Sequence, residues 1–174
     1  MSFVYYSKEG KFILKDDEIL DTIKFHRLDG PAIEWDFGGF DWWVNGKRHR
    51  EDGPAIDWPG YKVWYVNDKL HRLDGPAVIQ KENNFGLRKE WWVNGKLHRA
   101  DGPAIEYENG DKEWWINDKR HRLDGPAVVR LNGGDDYFIN NKKLNTIKVK
   151  EWIKNNNIDL STKKGKSLFK LKFG

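Results

Sequence analysis

Trp91-Trp92-Val93-Asn94-Gly95-Lys96-Leu97-His98-Arg99-Ala100-Asp101-Gly102-Pro103-Ala104-Ile105 decides the fold, because it is one copy of a phrase that recurs along the chain. The five histidines, His26, His49, His71, His98 and His121, each open His-Arg-x-Asp-Gly-Pro-Ala-[Ile/Val], at steps of 23, 22, 27 and 23 residues. The aromatic pairs Trp42-Trp43, Trp64-Tyr65, Trp91-Trp92 and Trp114-Trp115 lie upstream, each followed by [Val/Ile]-Asn-[Gly/Asp]-Lys. In all four the second ring stands six residues before the histidine. Tyr137-Phe138-Ile139-Asn140-Asn141-Lys142 begins a further copy that stops there. A fixed period of this length marks a repeat array.

Each unit reads as two strands and two connections. Asn-Gly, Asn-Asp and Asp-Gly-Pro bound short apolar runs, which are turn and strand signals. In Ala32-Ile33-Glu34-Trp35-Asp36, Ala55-Ile56-Asp57-Trp58 and Ala104-Ile105-Glu106-Tyr107-Glu108 the Ile and the aromatic alternate with acids. A side-chain period of two sends Ile and ring to one face and the acids to the other. The expectation is an all-β, elongated, twisted antiparallel meander of about five repeats, with a short C-terminal helix.

Outside the array the phrase is missing. Residues 1–24 read as a degenerate N-terminal cap, and 25–144 as the array. Residues 145–160 hold a capping helix, Ile147 to about Asn156, started by Asn145 or Thr146. Residues 161–174 read as a basic tail, in which Phe169, Leu171 and Phe173 alternate with lysines and permit a strand.

The 174 residues fit one domain, and 38% hydrophobic content with 17 glycines is enough to fold. The absence of Cys excludes disulfides, thiolate metal sites and cysteine nucleophiles. No apolar run reaches a membrane span, and the start lacks signal-peptide character, so the expected location is cytoplasmic, or the host interior for a viral protein. The net charge of +4 is unevenly placed: 10 lysines against Glu151 and Asp159 fall in 142–174, on a mildly acidic body.

The aromatic, the Asn-Gly turn, the histidine and the following glycine resemble a variant of the MORN repeat, whose units read Tyr-x-Gly-x-x-x-Asn-Gly-x-x-His-Gly-x-Gly. The resemblance runs from Phe25 to Lys142. The Arg-x-Asp-Gly-Pro-Ala segment after histidine is a departure, as is the missing glycine after the first aromatic. The resemblance implies a β-hairpin array and a non-catalytic scaffold. The His-Arg-x-Asp-Gly-Pro-Ala form is common in phage and large DNA virus proteins, and the Lys/Asn/Ile-rich composition suits an AT-rich viral genome.

Five His-Arg-x-Asp phrases invite metal or acid–base readings. Equivalent histidines two strands apart lie roughly 9–10 Å from each other, whereas zinc needs its nitrogen ligands at about 2.0–2.1 Å. An active site is one constellation of unlike groups, and here the groups repeat. No metal, cofactor or catalytic residue is therefore expected. His26, Arg27, Asp29, His49, Arg50, Asp52, His71, Arg72, Asp74, His98, Arg99, Asp101, His121, Arg122 and Asp124 are read as structural, with Asp pairing Arg or capping the turn and His bonding the backbone of its own loop.

Binding candidates lie elsewhere. Each aromatic pair sends one ring to each face, so one ring per unit must be covered by sheet curvature, by an arginine stacked on it, or by a partner. Trp43, Trp92 and Trp115 are candidates for an aromatic binding stripe. The stretch Lys81–Glu90 is four to five residues longer than its counterparts, and its Asn84, Phe85, Leu87 and Arg88 are candidates for a recognition tip. The acids Glu34, Asp36, Asp57, Glu106 and Glu108 are read as a solvated face. The leading expectation is a non-enzymatic binding or scaffold protein of a virus (phage) that binds and inhibits a host defence protein. Alternatives are a nucleotide or small-ligand sequestering protein using Arg and Trp, and a nucleic-acid binder led by the basic tail. The oligomeric state is open at this point.

Overall fold

The computed structural model describes residues 2–8, 10–15, 24–82 and 86–174. The chain is mostly β. Among the described residues, eleven strands form one antiparallel sheet, meander-like, in the spatial order Val128–Val129, Lys112–Glu113, Ile105–Tyr107, Gly86–Glu90, Val78–Glu82, Tyr61–Val63, Ile56–Trp58, Phe40–Asp41, Ile33–Trp35, Ser2–Ser7, Gly10–Lys15. Five two-stranded hairpins accompany it, each opening at the second aromatic of a pair, such as Trp43–Val44 with Lys47–Arg48.

There are more strands than the two per unit expected from sequence, and the first aromatic explains why. Trp42 donates its N–H to the Ala55 carbonyl (2.7 Å) while its own carbonyl accepts from His49 N–H (3.1 Å). The ring residue thus ends a sheet strand and begins a hairpin. The hairpin turns are of the primed kind, with φ of 53° and 75° at Asn45 and Gly46 and 51° and 61° at Asn67 and Asp68. Where aspartate replaces glycine it is compensated: Asp68 Oδ1 accepts from Arg48 N–H, and Asp118 Oδ1 from Leu97 N–H, both at 2.8 Å.

Two compact units are present, one of residues 1–82 and 89–95, the other of 83–88 and 96–174. In the first, Ile56, Val63 and Val78 stack across three strands, with Ile56 and Val78 both opposite Val63. A second cluster joins Tyr5, Phe25, Ala32 and Ile33. The segment read as a cap contributes the hairpin Ser2–Ser7 and Gly10–Lys15, paired through Tyr5 to Ile33.

The second unit carries two helices. In α1, Thr146–Asn155, Asn145 is the N-cap and accepts from Lys148 N–H at 3.0 Å. The basic tail is a helix too: α2, Lys163–Phe173, capped by Thr162 on Gly165 N–H at 3.0 Å. A strand there is thus replaced, for a packing reason. Phe169 and Phe173 are one helical turn apart with ring centroids at 5.2 Å, and both pack with Trp152. Phe169 is fully buried with Tyr137, Ile139, Leu144 and Val149. Among the described residues, no helix is long and apolar enough to cross a membrane.

Candidate functional site

The repeated phrase builds an arginine clamp. Each phrase arginine donates from Nε to the aspartate two residues on: Arg27 to Asp29 at 3.0 Å, Arg50 to Asp52 at 2.7 Å, Arg72 to Asp74 at 2.8 Å, Arg99 to Asp101 at 3.0 Å and Arg122 to Asp124 at 2.6 Å. Nη1 of each donates to the proline carbonyl four residues on, at 3.1–3.4 Å. The guanidinium lies over an aromatic ring, Arg50 on Trp42 at 4.0 Å, Arg72 on Trp64 at 4.1 Å and Arg122 on Trp114 at 3.7 Å. The phrase glycine takes the other side. A Cβ on Gly53 would stand 2.7 Å from Arg50 Cζ, and one on Gly125 3.2 Å from Arg122 Cζ. Glycine is there for space, since none of these five has a left-handed φ.

Alanine and the following Ile or Val complete the phrase. All five alanines, Ala32, Ala55, Ala77, Ala104 and Ala127, are fully buried. Ala55 donates to Val63 O and Ala77 to Glu90 O, both at 2.8 Å, which locks the loop to the next strand.

The histidines bond forward and not within their own loop, which corrects that expectation. Nδ1 of His26, His49, His71, His98 and His121 accepts from the backbone N–H of Asn45, Asn67, Asn94, Asn117 and Asn140, at 3.0–3.3 Å. Each donor sits in the hairpin turn of the following unit. Accepting at Nδ1 places the proton on Nε2 in His26, His49, His71 and His98, while at His121 the Asn140 Oδ1 also lies 3.0 Å from Nδ1.

The electrostatics follow the clamp. The guanidinium hydrogen bond holds the carboxyls of Asp29, Asp52 and Asp74 below the ordinary aspartate range. At Asp124 burial works the other way, and hydrogen bonds from Arg122 and Lys166 outweigh it, leaving that carboxyl lowered as well.

Trp43, Trp92 and Trp115 do not form a bare stripe. All three are half-buried. Trp43 packs on Phe25 with centroids at 5.5 Å and carries the Arg48 guanidinium at 4.7 Å. Trp92 and Trp115 donate from the indole nitrogen to Glu90 and Glu113, at 2.6 and 3.0 Å.

Asn84 and Phe85 lie outside the described residues. Leu87 and Arg88 are not part of a tip: both are half-buried in the strand Gly86–Glu90. Leu87 bonds twice to Glu108, its carbonyl accepting from the Glu108 N–H at 2.8 Å and its own N–H donating to the side-chain Oε2 at 2.5 Å. Arg88 lies over Tyr107 at 5.6 Å. Extended pairing is what carried these residues out of the loop.

Two features escaped the sequence reading. Tyr6 stands in for a first aromatic: Arg27 covers its ring at 4.0 Å, and His26 N–H donates to its carbonyl at 2.9 Å. The adjacent Tyr5-Tyr6 pair was the available signal, obscured by its distance from His26. The second is a row of carboxylates just before the aromatic pairs, at Asp41, Glu90, Glu113 and Asp136. Asp41 is buried and accepts from the Trp58 indole at 2.6 Å. Burial raises its carboxyl above the ordinary range, against the bonds from Trp58 and Trp35.

Between successive phrase loops open clefts, two of which are well defined among the described residues. One, of about 560 Å³, lies between residues 27–30 and 49–52 and includes Trp42 and Val44. The other, of about 620 Å³, lies between 99–103 and 121–124 and includes Trp114, Ile116 and Lys166. Compared with protein-family models, with curated proteins and with solved structures, the chain has no match.

Proposed function

We propose that this chain is a non-enzymatic binding protein whose repeats are a scaffold for recognising another protein. One observation carries the reading: in all five copies the groups capable of chemistry are already committed. Histidine Nδ1 holds the next turn, the guanidinium is clamped, and the carboxylate braces it. What varies between copies is the x position of the phrase, occupied by Leu28, Glu51, Leu73, Ala100 and Leu123. Leu28 and Leu73 are each 79% exposed there, on loops held by the clamps beneath. Variable side chains on a fixed frame suit recognition.

The sharper form, a phage protein that binds and inhibits a host defence protein, is supported by the resemblance of the His-Arg-x-Asp-Gly-Pro-Ala phrase and by the composition. The small-ligand alternative loses ground because a phrase guanidinium already covers Trp42, Trp64 and Trp114. The nucleic-acid alternative keeps its lysines but loses its stacking platform, since Phe169 is buried and Phe173 packs on Trp152.

The test is capture of a stoichiometric protein partner by the immobilised full chain, compared with the double variant Leu28→Glu, Leu73→Glu. The expected result is capture by the wild type and loss in a variant that melts normally. Nucleotide released on denaturing the purified chain, with no protein captured, would overturn the reading.

A further inference from the structure

The two clefts are the same container in two states. All ten positions lining the first recur 72 residues later in the second, Trp42 as Trp114, His49 as His121 and Asp52 as Asp124 among them. The second has two further liners, Pro103 and Lys166. Lys166 comes from α2, and its Nζ is 3.2 Å from Asp124 Oδ2. The carboxylate records the difference: the Asp124 side chain is 39% exposed, that of Asp52 84%. Beside it, Leu123 packs against the apolar cluster of the helices.

The first cleft carries more negative charge. Glu51 replaces Leu123, so Asp29, Glu51 and Asp52 stand against Arg27 and Arg50. Arg27 also donates to Glu34 at 2.9 Å, as Arg99 does to Glu106 at 3.0 Å beside the second cleft, so Glu51 is the carboxylate that sets the first cleft apart. Glu51 is 84% exposed, with its Oε1 3.7 Å from His49 Nε2. Trp42, Val44 and the exposed Leu28 supply apolar wall, suited to the four-carbon stem of a lysine below its ammonium.

We propose that the cleft between residues 27–30 and 49–52 receives a lysine side chain from a basic segment of a partner protein, as its counterpart receives Lys166 from α2. The proposal deepens the binding-protein reading and rests on it. The ammonium donates to Asp52, as Lys166 does to Asp124, and Glu51 adds attraction that the internal pair lacks. A lysine is favoured over a free anion because the two guanidinium groups already donate to Asp29 and Asp52.

The probe is a capped peptide of this chain's residues 159–174, which carries Lys166 in its own context, titrated into the isotope-labelled full chain. Saturable shifts are expected at the Trp42 indole and at the Glu51 and Asp52 amides. Acetylating the Lys166 side chain of the peptide should weaken binding by about tenfold or more, because it removes the ammonium. The variant Glu51→Lys should do the same with an unchanged melting temperature, since Glu51 is a solvent-exposed loop residue. Equal binding of acetylated and unacetylated peptide overturns the proposal, and so does an undisturbed Trp42. Wild-type dimerisation abolished by Glu51→Lys would overturn the assignment to a foreign partner. A Glu51→Lys chain that captures its protein partner undiminished overturns the cleft and leaves the binding reading standing. A wild-type chain that captures no protein overturns both.

Discussion

Gly53→Ala is the sharpest probe of the arginine clamp. The added methyl would stand 2.7 Å from Arg50 Cζ and 2.9 Å from Nε, well inside contact distance. Backbone conformation is not the obstacle, because Gly53 does not have a left-handed φ. The guanidinium must therefore move, and it is pinned on three sides: Trp42 at 4.0 Å, Asp52 at 2.7 Å and the Pro54 carbonyl at 3.4 Å. Moving it forfeits a cation–π contact of about 0.5–2 kcal/mol and a hydrogen bond of about 1 kcal/mol. Alanine's narrower unfolded ensemble returns about 0.4–1 kcal/mol. The net expectation is a loss of about 1–2 kcal/mol, a fall of about 2–8 °C in melting temperature for a chain of this size.

The series of five glycines makes this quantitative. The Cβ-to-Cζ approach is 2.7 Å at Gly30 and Gly53, 2.9 Å at Gly75, 3.0 Å at Gly102 and 3.2 Å at Gly125. Single alanine variants followed by circular dichroism in thermal and urea denaturation should rank in that order, with Gly125→Ala mildest. In the double variant Arg50→Ala, Gly53→Ala the destabilising part of the glycine change should vanish, leaving only alanine's gain of about 0.4–1 kcal/mol, because the clash partner is gone. A Gly53→Ala chain as stable as the wild type, or additive losses in the double variant, would refute the clamp.

Other outcomes follow from the same geometry. Phe169→Ala should cost about 3–5 kcal/mol by emptying a fully buried site, read as a lowered urea midpoint. Asp124→Ala should lower the melting temperature more than Asp101→Ala, since only Asp124 also holds Lys166. Asp41→Asn should gain stability relative to wild type at pH 7 and lose that advantage as pH falls. A carboxyl raised in the folded state destabilises above its folded pKa and is relieved on protonation, while Asn still accepts from Trp58. The clamp aspartates have the opposite sign: their folded pKa is depressed, so their contribution is present above the unfolded value and lost as acid titrates through the folded one.

Much of the sheet was legible because its signals are local. Asn-Gly and Asn-Asp demand primed turns, and Ala-Ile before an acid and an aromatic sets a period of two. Direction of bonding was not legible. The spacing from His49 to Asn67 fixes a register, but nothing in it says that imidazole reaches forward to the next turn. The glycines misled in another way, since Asp-Gly-Pro reads as a turn glycine and the structure uses the missing side chain as a seat for guanidinium. Helix α2 was hidden by ambiguity: Phe169, Leu171 and Phe173 fit a period of two, and only the Phe169–Phe173 and Gly165–Phe169 spacings reveal the helical face. The clefts were invisible, because each is formed by two loops whose equivalent positions lie 23 residues apart, Arg27 and Arg50 in the first and Arg99 and Arg122 in the second.

The end of the array shows what the clamp is for. Tyr137 is a first aromatic, and Leu144 N–H donates to its carbonyl at 2.9 Å, as His49 N–H does to Trp42. Leu144 therefore occupies a histidine position, and the arginine position after it is Asn145. Without an arginine the ring has no guanidinium to cover it, and there the chain changes its structure: Asn145 caps α1, and Phe169 of α2 packs on Tyr137 with centroids at 6.2 Å. Without a histidine there is likewise no acceptor for a further turn, so the forward bonding stops. The phrases of Arg27, Arg50, Arg72 and Arg122 each cover one aromatic, and every phrase histidine fastens the next hairpin, which is nearest-neighbour coupling of the kind that holds repeat arrays together. The helices close the array because they do the first of these tasks with apolar side chains and leave the second undone.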